Sequence, residues 1–467
     1  MLAFWPVVTM ILFILLPAHR ALIWSVLGAY LILPVGTSFE IPVVPSLDKT
    51  VISNLSVLLC CLLFVREKWL GALKDPAVLA LAATFVLSPF FTAFSNPEPL
   101  IYGDRFIPPM SMYDALAQAA VNAITLIPFV TAYGLINSEQ RRWQVIAILV
   151  TAALAYSVLM LIEVRLSPQL HRLIYGFFPH SFGQQMRGSG FRPVVFLGHG
   201  LLVAIFCAMA ATAAVARWRE ARGRQKSRAG LVVMYFGVLL VLCKSVGAMI
   251  LAAAFFPLVA FLRARRVAMI AAAACIMMLL YPAIRSAGLV PTVTISELTG
   301  SFSSDRQGSL GVRLINEDQL LQRAAEKPIF GWGSWGRNRI YSPDDGRDLS
   351  ITDGAWIIIV GTWGWVGYLA MFGLLCHGCA RLLWHPKVHR TMSTASAVIC
   401  ILLTINLFDS IPNASVTPFS WLLAGAVFAF AIKSNERASF RTDSSLHRSV
   451  SISTRQDYAN NFCGRVS

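Results

Sequence analysis

Long apolar runs separated by short polar segments make up most of the chain. A transmembrane helix needs roughly 20 apolar residues, and about thirteen runs in this sequence approach or reach that length. The pattern predicts an all-α fold, a polytopic transmembrane bundle of about 12–13 helices. One long internal segment, 285–354, is polar instead, and we expect it to form a loop outside the membrane.

The same pattern divides the chain into five parts. N-terminal helices and an outer loop occupy 1–192, central helices 193–284, the long loop 285–354, C-terminal helices 355–432, and a tail 433–467 that we expect to be disordered and cytoplasmic. The first central helix is predicted to begin at Pro193, because proline is tolerated in the first turn of a helix. The run 231–262 is long enough for two short helices that turn at Lys244 and Ser245.

The long loop contains the pattern of an amphipathic helix. Apolar residues at helical spacing predict it, and they are Leu310, Leu314, Leu321 and Ala325. The helix is expected to end at Lys327, because the residue before a proline disfavours the helical conformation. A turn with the sequence GWGSWG follows at 331–336, and its aromatic rings suit a membrane interface.

Composition and charge agree with a membrane protein. The chain is 57% hydrophobic and 13% charged, whereas soluble domains carry about 25% charged residues. The net charge of +16 comes mainly from short loops on one predicted side, including 217–228 and 263–266. Cytoplasmic loops of membrane proteins show this excess. The long loop is therefore predicted to be periplasmic, and the charge indicates no nucleic-acid partner.

A few arginines lie on the side that is otherwise poor in positive charge. Arg187 and Arg192 are surrounded by glycine and proline, with no acidic residue nearby in sequence. Unpaired arginines suit a phosphate, whose oxygens match the planar guanidinium group. Arg313 also lies on this side, but Glu317 four residues further on offers a structural alternative, an ion pair along the helix. Arg323 has the same alternative with Glu326.

Several motifs in 180–375 resemble one family. The residues DR at 305–306, GVR at 311–313, EKPIFGWG at 326–333 and GTWGWVG at 361–367 resemble the C-terminal signature of the O-antigen ligase and polymerase superfamily. RGSGF at 187–191 and KSVG at 244–247 resemble its two upstream motifs. These enzymes are integral membrane glycosyltransferases that act on polyprenyl-diphosphate-linked saccharides. The resemblance implies that Arg187, Arg192 and Arg313 hold the diphosphate, with Arg306 and Lys244 as further candidates.

The chemistry of that reaction suits arginine. A departing polyprenyl diphosphate leaves as an anion, so it needs positive charge placed in advance rather than a proton. We find no Asp, Glu and His cluster for a metal, and expect no metal and no other cofactor. The expected partners are the lipid-linked saccharide and membrane lipid, together with a chain-length regulator and a flippase of the same pathway.

One position departs from the family pattern. The resemblance implies a histidine before the helix that follows the long loop, where it would act as the base for the acceptor hydroxyl, but Asp353 stands there. Asp353 is either an N-cap, which aspartate favours, or a carboxylate that deprotonates the acceptor. His199 and Asp409 are further candidates, with helix packing and capping as their structural alternatives.

The predicted function is therefore that of a glycosyltransferase in a bacterial inner membrane, with its site facing the periplasm. It would polymerise polyprenyl-diphosphate-linked repeat units into an exopolysaccharide or O-antigen, with Asp353 and Arg313 as catalytic residues. The substitution at 353 favours this over the alternative, an O-antigen ligase that transfers glycan to a lipid A core. A transporter of lipid-linked saccharide or small solute is the alternative of another class, and it would more typically show internal repeats, which we do not find.

Overall fold

The computed structural model describes residues 1–40, 45–66, 69–187, 190–291, 304–384 and 392–432, with only the backbone described over 304–310. The predicted tail 433–467 lies outside this range. The described residues form sixteen α-helices, which are α1 Trp5–Leu15, α2 Ala18–Ile32, α3 Lys49–Phe64, α4 Pro76–Phe94, α5 Met112–Thr125, α6 Ile127–Leu135, α7 Glu139–Leu166, α8 Leu170–Tyr175, α9 Gly200–Glu220, α10 Gly223–Leu242, α11 Val246–Phe261, α12 Ala264–Ser286, α13 Ser304–Glu326, α14 Ala355–Trp384, α15 Thr394–Asp409 and α16 Pro418–Ile432.

Two short antiparallel hairpins are the only sheets among the described residues. They pair β1 (Leu100–Tyr102) with β2 (Arg105–Ile107), and β3 (Met186–Arg187) with β4 (Gly190–Phe191). Seven helical segments are long and apolar enough to cross a membrane, with α5 and α6 counted as one, and six further apolar helices are shorter. The prediction of an all-α polytopic membrane bundle is confirmed. The two-helix interpretation of 231–262 is also confirmed, since α10 ends at Leu242 and α11 begins at Val246.

Contacts between helix termini define the two ends of the bundle. At one end the carboxylate of Asp75 pairs with Arg381, and the hydroxyl of Thr394 donates a hydrogen bond to Glu220 at 2.8 Å. The basic segment 217–228 lies at this end, which we call the basic end. The α10–α11 turn, α13 and the start of α14 lie at the opposite end, which we call the site end.

The helix predicted to begin at Pro193 begins instead at Gly200. The intervening residues 194–197 enter the bundle in a non-helical conformation and are buried. A fully buried carboxylate holds them there, since Glu163 Oε2 accepts the N–H groups of Val194 and Val195, each at 2.7 Å. Val195 has a φ of 49°, an outlier for a β-branched residue. The prediction was wrong because local proline geometry did not reveal this distant partner.

The amphipathic helix of the long loop is confirmed as α13, with a different buried face. Asn316, Leu320 and Ala324 form that face, whereas the predicted Ala325 is exposed and Leu314 and Leu321 are only partly buried. The side chain of Leu310 is outside the described set. The segment predicted as loop from 285 also starts later, because α12 continues through Ser286.

The two glycine-rich motifs bind each other. Gly364 breaks α14 with a φ of 63° and a ψ of −170°, which leaves backbone groups around the break without helical partners. Residues 328–333 supply them through four hydrogen bonds, from Trp332 N to Gly361 O, Gly333 N to Thr362 O, Trp365 N to Pro328 O and Val366 N to Ile329 O, at 2.8–3.1 Å. A Cβ at Gly364 would lie 2.3 Å from Ile329 O. Both motifs therefore fix the long loop to α14.

Candidate anion-binding site

The hairpin β3–β4 presents Arg187 at the site end and is attached to the α10–α11 turn. Lys244 Nζ donates to the carbonyl of Arg187 at 2.9 Å, and Arg192 donates through Nη2 to the carbonyl of Lys244, also at 2.9 Å. Gly190 allows this approach, because a Cβ there would lie 2.6 Å from Lys244 Nζ. Lys244 thus holds the hairpin in place, whereas the side chain of Arg187 is exposed.

Arg192 is a buried cation with unused hydrogen-bonding capacity. Its side chain is 6% exposed, and its Nε has no hydrogen-bond partner among the described residues. Burial, with smaller contributions from the positive charges of Arg187 and Arg313, lowers its pKa to about 10. Arg192 therefore stays protonated at neutral pH. A buried guanidinium group beside two other arginines is a site of strong positive potential.

Arg313 reaches the same place from α13. Its charge acts on Arg192 and on His199, as does that of Arg187. The structure thus brings together the three arginines that the sequence singled out, although Arg313 is far from the other two in the chain. Arg306 also lies on α13, but its side chain is outside the described set.

His199 is the N-cap of α9. Its Nδ1 accepts the N–H of Leu201 at 3.1 Å, and its Nε2 faces the amide oxygen of Gln184 at 3.4 Å. Burial, with smaller contributions from His180 and the three arginines, lowers its pKa to about 4. The ring is therefore neutral at pH 7, and its one acceptor nitrogen is already used for capping. Of the two interpretations, the geometry favours the structural one.

Asp353 pairs with Arg313 rather than capping a helix. Its Oδ2 lies 2.9 Å from Arg313 Nε, and the two side chains are 38% and 33% exposed. The first N–H of α14, that of Ala355, donates instead to the carbonyls of Ser410 and Asn413 at 3.0 and 3.2 Å. Asp353 therefore does not act as the N-cap of α14. A carboxylate now lies directly against the arginine cluster.

The ion pair predicted between Arg313 and Glu317 is also replaced. Arg285, at the end of α12, takes both neighbouring carboxylates, with its Nη2 2.7 Å from Asp318 and its Nε 3.6 Å from Glu317. Burial raises the pKa of Glu317 to about 7, and the negative charge of Asp318 acts in the same direction, whereas Arg285 opposes the shift. Arg285 is 6% exposed, so it anchors α13 to the bundle and leaves Arg313 free to face the cluster.

The local pair predicted for Arg323 is confirmed. Arg323 Nη1 lies 2.7 Å from Glu326 Oε2, and its guanidinium group lies 3.4 Å from the ring centre of Trp332. The indole Nε1 of Trp332 donates back to the carbonyl of Arg323 at 2.7 Å. Arg323 is therefore part of the packing between α13 and the turn that follows it.

Asp409 lies at the end of α15, close enough to Arg313 for the two charges to interact. It is 6% exposed, and its Oδ1 accepts a hydrogen bond from Asn413 at 3.0 Å. Its Oδ2 makes no hydrogen bond of normal geometry among the described residues, although the Ser415 hydroxyl is close enough to interact. The turn after Asp409 contacts the start of α14, so Asp409 lies at the site end of the bundle.

Two residues that position this site were missed from the sequence. Glu163 holds the segment that links Arg192 to His199, and it also accepts the N–H of Leu170 at 2.9 Å. Arg285 positions α13. For Glu163 a usable signal existed, because an ionisable residue inside an apolar run is a functional candidate by default. For Arg285 the signal was weak, since an arginine at a helix end is common at a membrane surface.

The fold and the site define a class, a polytopic α-helical membrane protein with an arginine cluster at one end of its bundle. Among the described residues, no group of three or more His, Cys, Asp or Glu side chains is placed to hold a metal ion. Comparison with models of known protein families and with curated proteins gives no match.

Proposed function

We propose that this protein is a membrane glycosyltransferase that polymerises polyprenyl-diphosphate-linked oligosaccharides into a surface polysaccharide, an exopolysaccharide or O-antigen, at the periplasmic face of a bacterial inner membrane. One observation carries the proposal. Arg187, Arg192 and Arg313 converge at one end of the bundle, and the one carboxylate paired directly with them among the described residues is Asp353. Such a cluster fits an anion with more than one charge, and the family resemblance suggests that this anion is a diphosphate.

The proposed reaction needs few protein groups. The acceptor hydroxyl oxygen attacks the anomeric carbon of the donor sugar, the new C–O bond forms, and the bond to the diphosphate oxygen breaks. The hydroxyl proton goes to a base, and the diphosphate departs with the electron pair. Arginine charge placed at the diphosphate stabilises the negative charge that develops there, and a single such donor is worth on the order of 10²–10³ in rate.

The Arg313–Asp353 pair suggests how the base is supplied. While it is paired with Arg313, the carboxylate of Asp353 is held by the guanidinium group and not by the acceptor hydroxyl. An incoming diphosphate carries more charge than one carboxylate and competes for the same guanidinium group. In this proposal the donor displaces Asp353 from Arg313, and the released carboxylate takes the proton of the acceptor hydroxyl. The base then becomes active only when the donor is bound.

The experiment that tests the proposal uses purified full-length protein in detergent with lipid-linked repeat units. Arg187→Lys, Arg192→Lys and Arg313→Lys each retain charge but lose the planar fork that binds phosphate in two places. We expect each variant to form polymer about 10²-fold more slowly than the wild type. Arg347→Lys is the control, because Arg347 is 78% exposed in the same loop and pairs with Asp345.

Each contrary outcome has a meaning. Wild-type rates in all three lysine variants would reduce the cluster to surface charge and refute the proposal. A wild-type protein that forms no covalent product in detergent, but moves lipid-linked saccharide across a vesicle membrane, would be a transporter. Product on an added lipid A core, with none on a second lipid-linked saccharide, would make it a ligase.

A further inference from the structure

Helix α10 protrudes from the bundle and leaves a cleft on each side. It packs mainly on α9, and only 17% of its apolar span is buried. The cleft on one side lies between α7 and α10, with α9 as its floor, and has a volume of about 560 Å³. We call it the α7–α10 cleft. It is at the basic end, opposite the arginine cluster described above.

The lining of this cleft changes from charged to apolar along its length. Trp143, Arg217 and Arg228 line its mouth at the basic end, whereas Leu154 and Val232 line the part nearer the middle of the bundle. Trp143 and Leu154 are eleven residues apart on one helix, which corresponds to about 16 Å. Tryptophan at a membrane interface lies at the level of the lipid headgroups. The cleft therefore runs from headgroup depth into the hydrocarbon region.

The two arginines at the mouth are available to a ligand. Both are exposed, and neither has an ion-pair partner among the residues that the structure describes. Glu220 also lines the cleft, but its carboxylate accepts the hydroxyl of Thr394 on the α15 side. The lining thus carries two positive charges and one negative charge. The excess positive charge of the lining is complementary to a phosphate group.

The cleft on the other side of α10 provides an internal comparison. It lies between α10 and α11, has a volume of about 440 Å³, and is lined by apolar residues that include Trp218, Phe256 and Phe261, with no charged side chain. It lies at similar depth, so the position of the membrane does not by itself place arginines in such a cleft. Of these two clefts, only the α7–α10 cleft combines guanidinium groups with an apolar channel.

We propose that the α7–α10 cleft binds an anionic phospholipid of the leaflet at the basic end. The headgroup phosphate contacts Arg217 and Arg228, and one acyl chain lies along Leu154 and Val232. Basic pockets between transmembrane helices on the cytoplasmic side recognise anionic lipid in this way. A free phosphate would use only the mouth, whereas the apolar length below it matches an acyl chain. This inference does not depend on the proposed enzymatic function.

The test is native mass spectrometry of the purified full-length protein in neutral detergent, titrated with phosphatidylglycerol or phosphatidylcholine. We expect the tightest-binding lipid to be phosphatidylglycerol. The double variant Arg217→Gln/Arg228→Gln should lose about 30-fold in affinity for it, since each arginine near a membrane surface contributes about fivefold. The matched control is Arg222→Gln/Arg224→Gln, which removes the same charge from the same segment outside the cleft and should change affinity much less, because neither residue lines the cleft.

Two further measurements separate the alternatives. Leu154→Trp keeps every charge but fills the apolar part of the cleft, so it should also weaken phosphatidylglycerol binding. Glycerol 3-phosphate, a headgroup without chains, should not displace the lipid at equal concentration. Equal losses in the two double variants, no preference over phosphatidylcholine, or displacement by glycerol 3-phosphate would each overturn the proposal. Thermal unfolding of each variant in detergent confirms that the compared proteins are folded.

Discussion

Asp353→Asn distinguishes a catalytic carboxylate from a structural one. Among the described residues, the only ion pair or hydrogen bond of the Asp353 side chain is the one with Arg313, in which both partners are more than 30% exposed. An exposed pair contributes about 0.2–1 kcal/mol to stability. The variant should therefore unfold within about 2 °C of the wild type. If Asp353 is the base, its loss should lower the polymerisation rate roughly 10²–10⁴-fold, which corresponds to about 3–5 kcal/mol of activation free energy.

The expected loss of activation free energy is larger than the expected loss of folding stability. Measuring the polymerisation rate and the thermal unfolding of the same variant therefore decides the role of Asp353. The assay measures polymer formed from lipid-linked repeat units per folded protein, together with thermal unfolding in the same detergent. Asp348→Asn is the control, because Asp348 pairs with an arginine, Arg339, in the same loop. Full activity of Asp353→Asn, or an equal loss in Asp348→Asn, would refute the assignment of Asp353 as the base.

Three more predictions follow from the loop and its helix. Gly364→Ala should lower thermal stability and yield far more than Gly237→Ala, because its Cβ would lie 2.3 Å from a loop carbonyl whereas the control has open space. Burial raises the pKa of Glu317 from 4.5 to about 7, so the stability that the protonated side chain contributes is lost as pH rises through that interval. Glu317→Gln should therefore make the thermal unfolding temperature less dependent on pH between pH 5 and 8. An unchanged pH profile in this variant would contradict the reasoning. In intact cells a membrane-impermeant maleimide should label Pro343→Cys but not Gln225→Cys, and the reverse would place the site in the cytoplasm.

The sequence alone predicted the features that depend on residues close together in the chain. Apolar runs predicted the helical bundle, and the polar pair Lys244 and Ser245 predicted the turn between α10 and α11. Proline correctly ended the amphipathic helix, within one residue. Unpaired arginines beside glycine predicted a place where positive charge would collect. Each of these inferences needs only residues within a few turns of one another.

The rest depends on contacts between residues far apart in the chain. Nothing near Pro193 shows that Glu163 captures the following backbone and delays the helix to Gly200. Helical spacing favours Arg313 with Glu317, but a buried Arg285 on another helix takes Glu317 and its neighbour. The two glycine-rich motifs were recognisable individually, yet their pairing follows from the break that Gly364 makes in α14.

The hydrogen bonds that hold the β3–β4 hairpin help to explain why positive charge accumulates at the site end. Lys244 holds the backbone of Arg187, and Glu163 holds that of Val194 and Val195, so the position of Arg187 does not require its side chain to pair with a carboxylate. Arg285 likewise takes Glu317 and Asp318 of α13, and among the described residues Arg313 forms an ion pair only with Asp353. Like charges brought together in this way disfavour one another, and the lowered pKa of Arg192 reflects both this repulsion and its burial. A bound polyanion would relieve the repulsion in all three arginines at once, and no single carboxylate of the protein has the charge to do so.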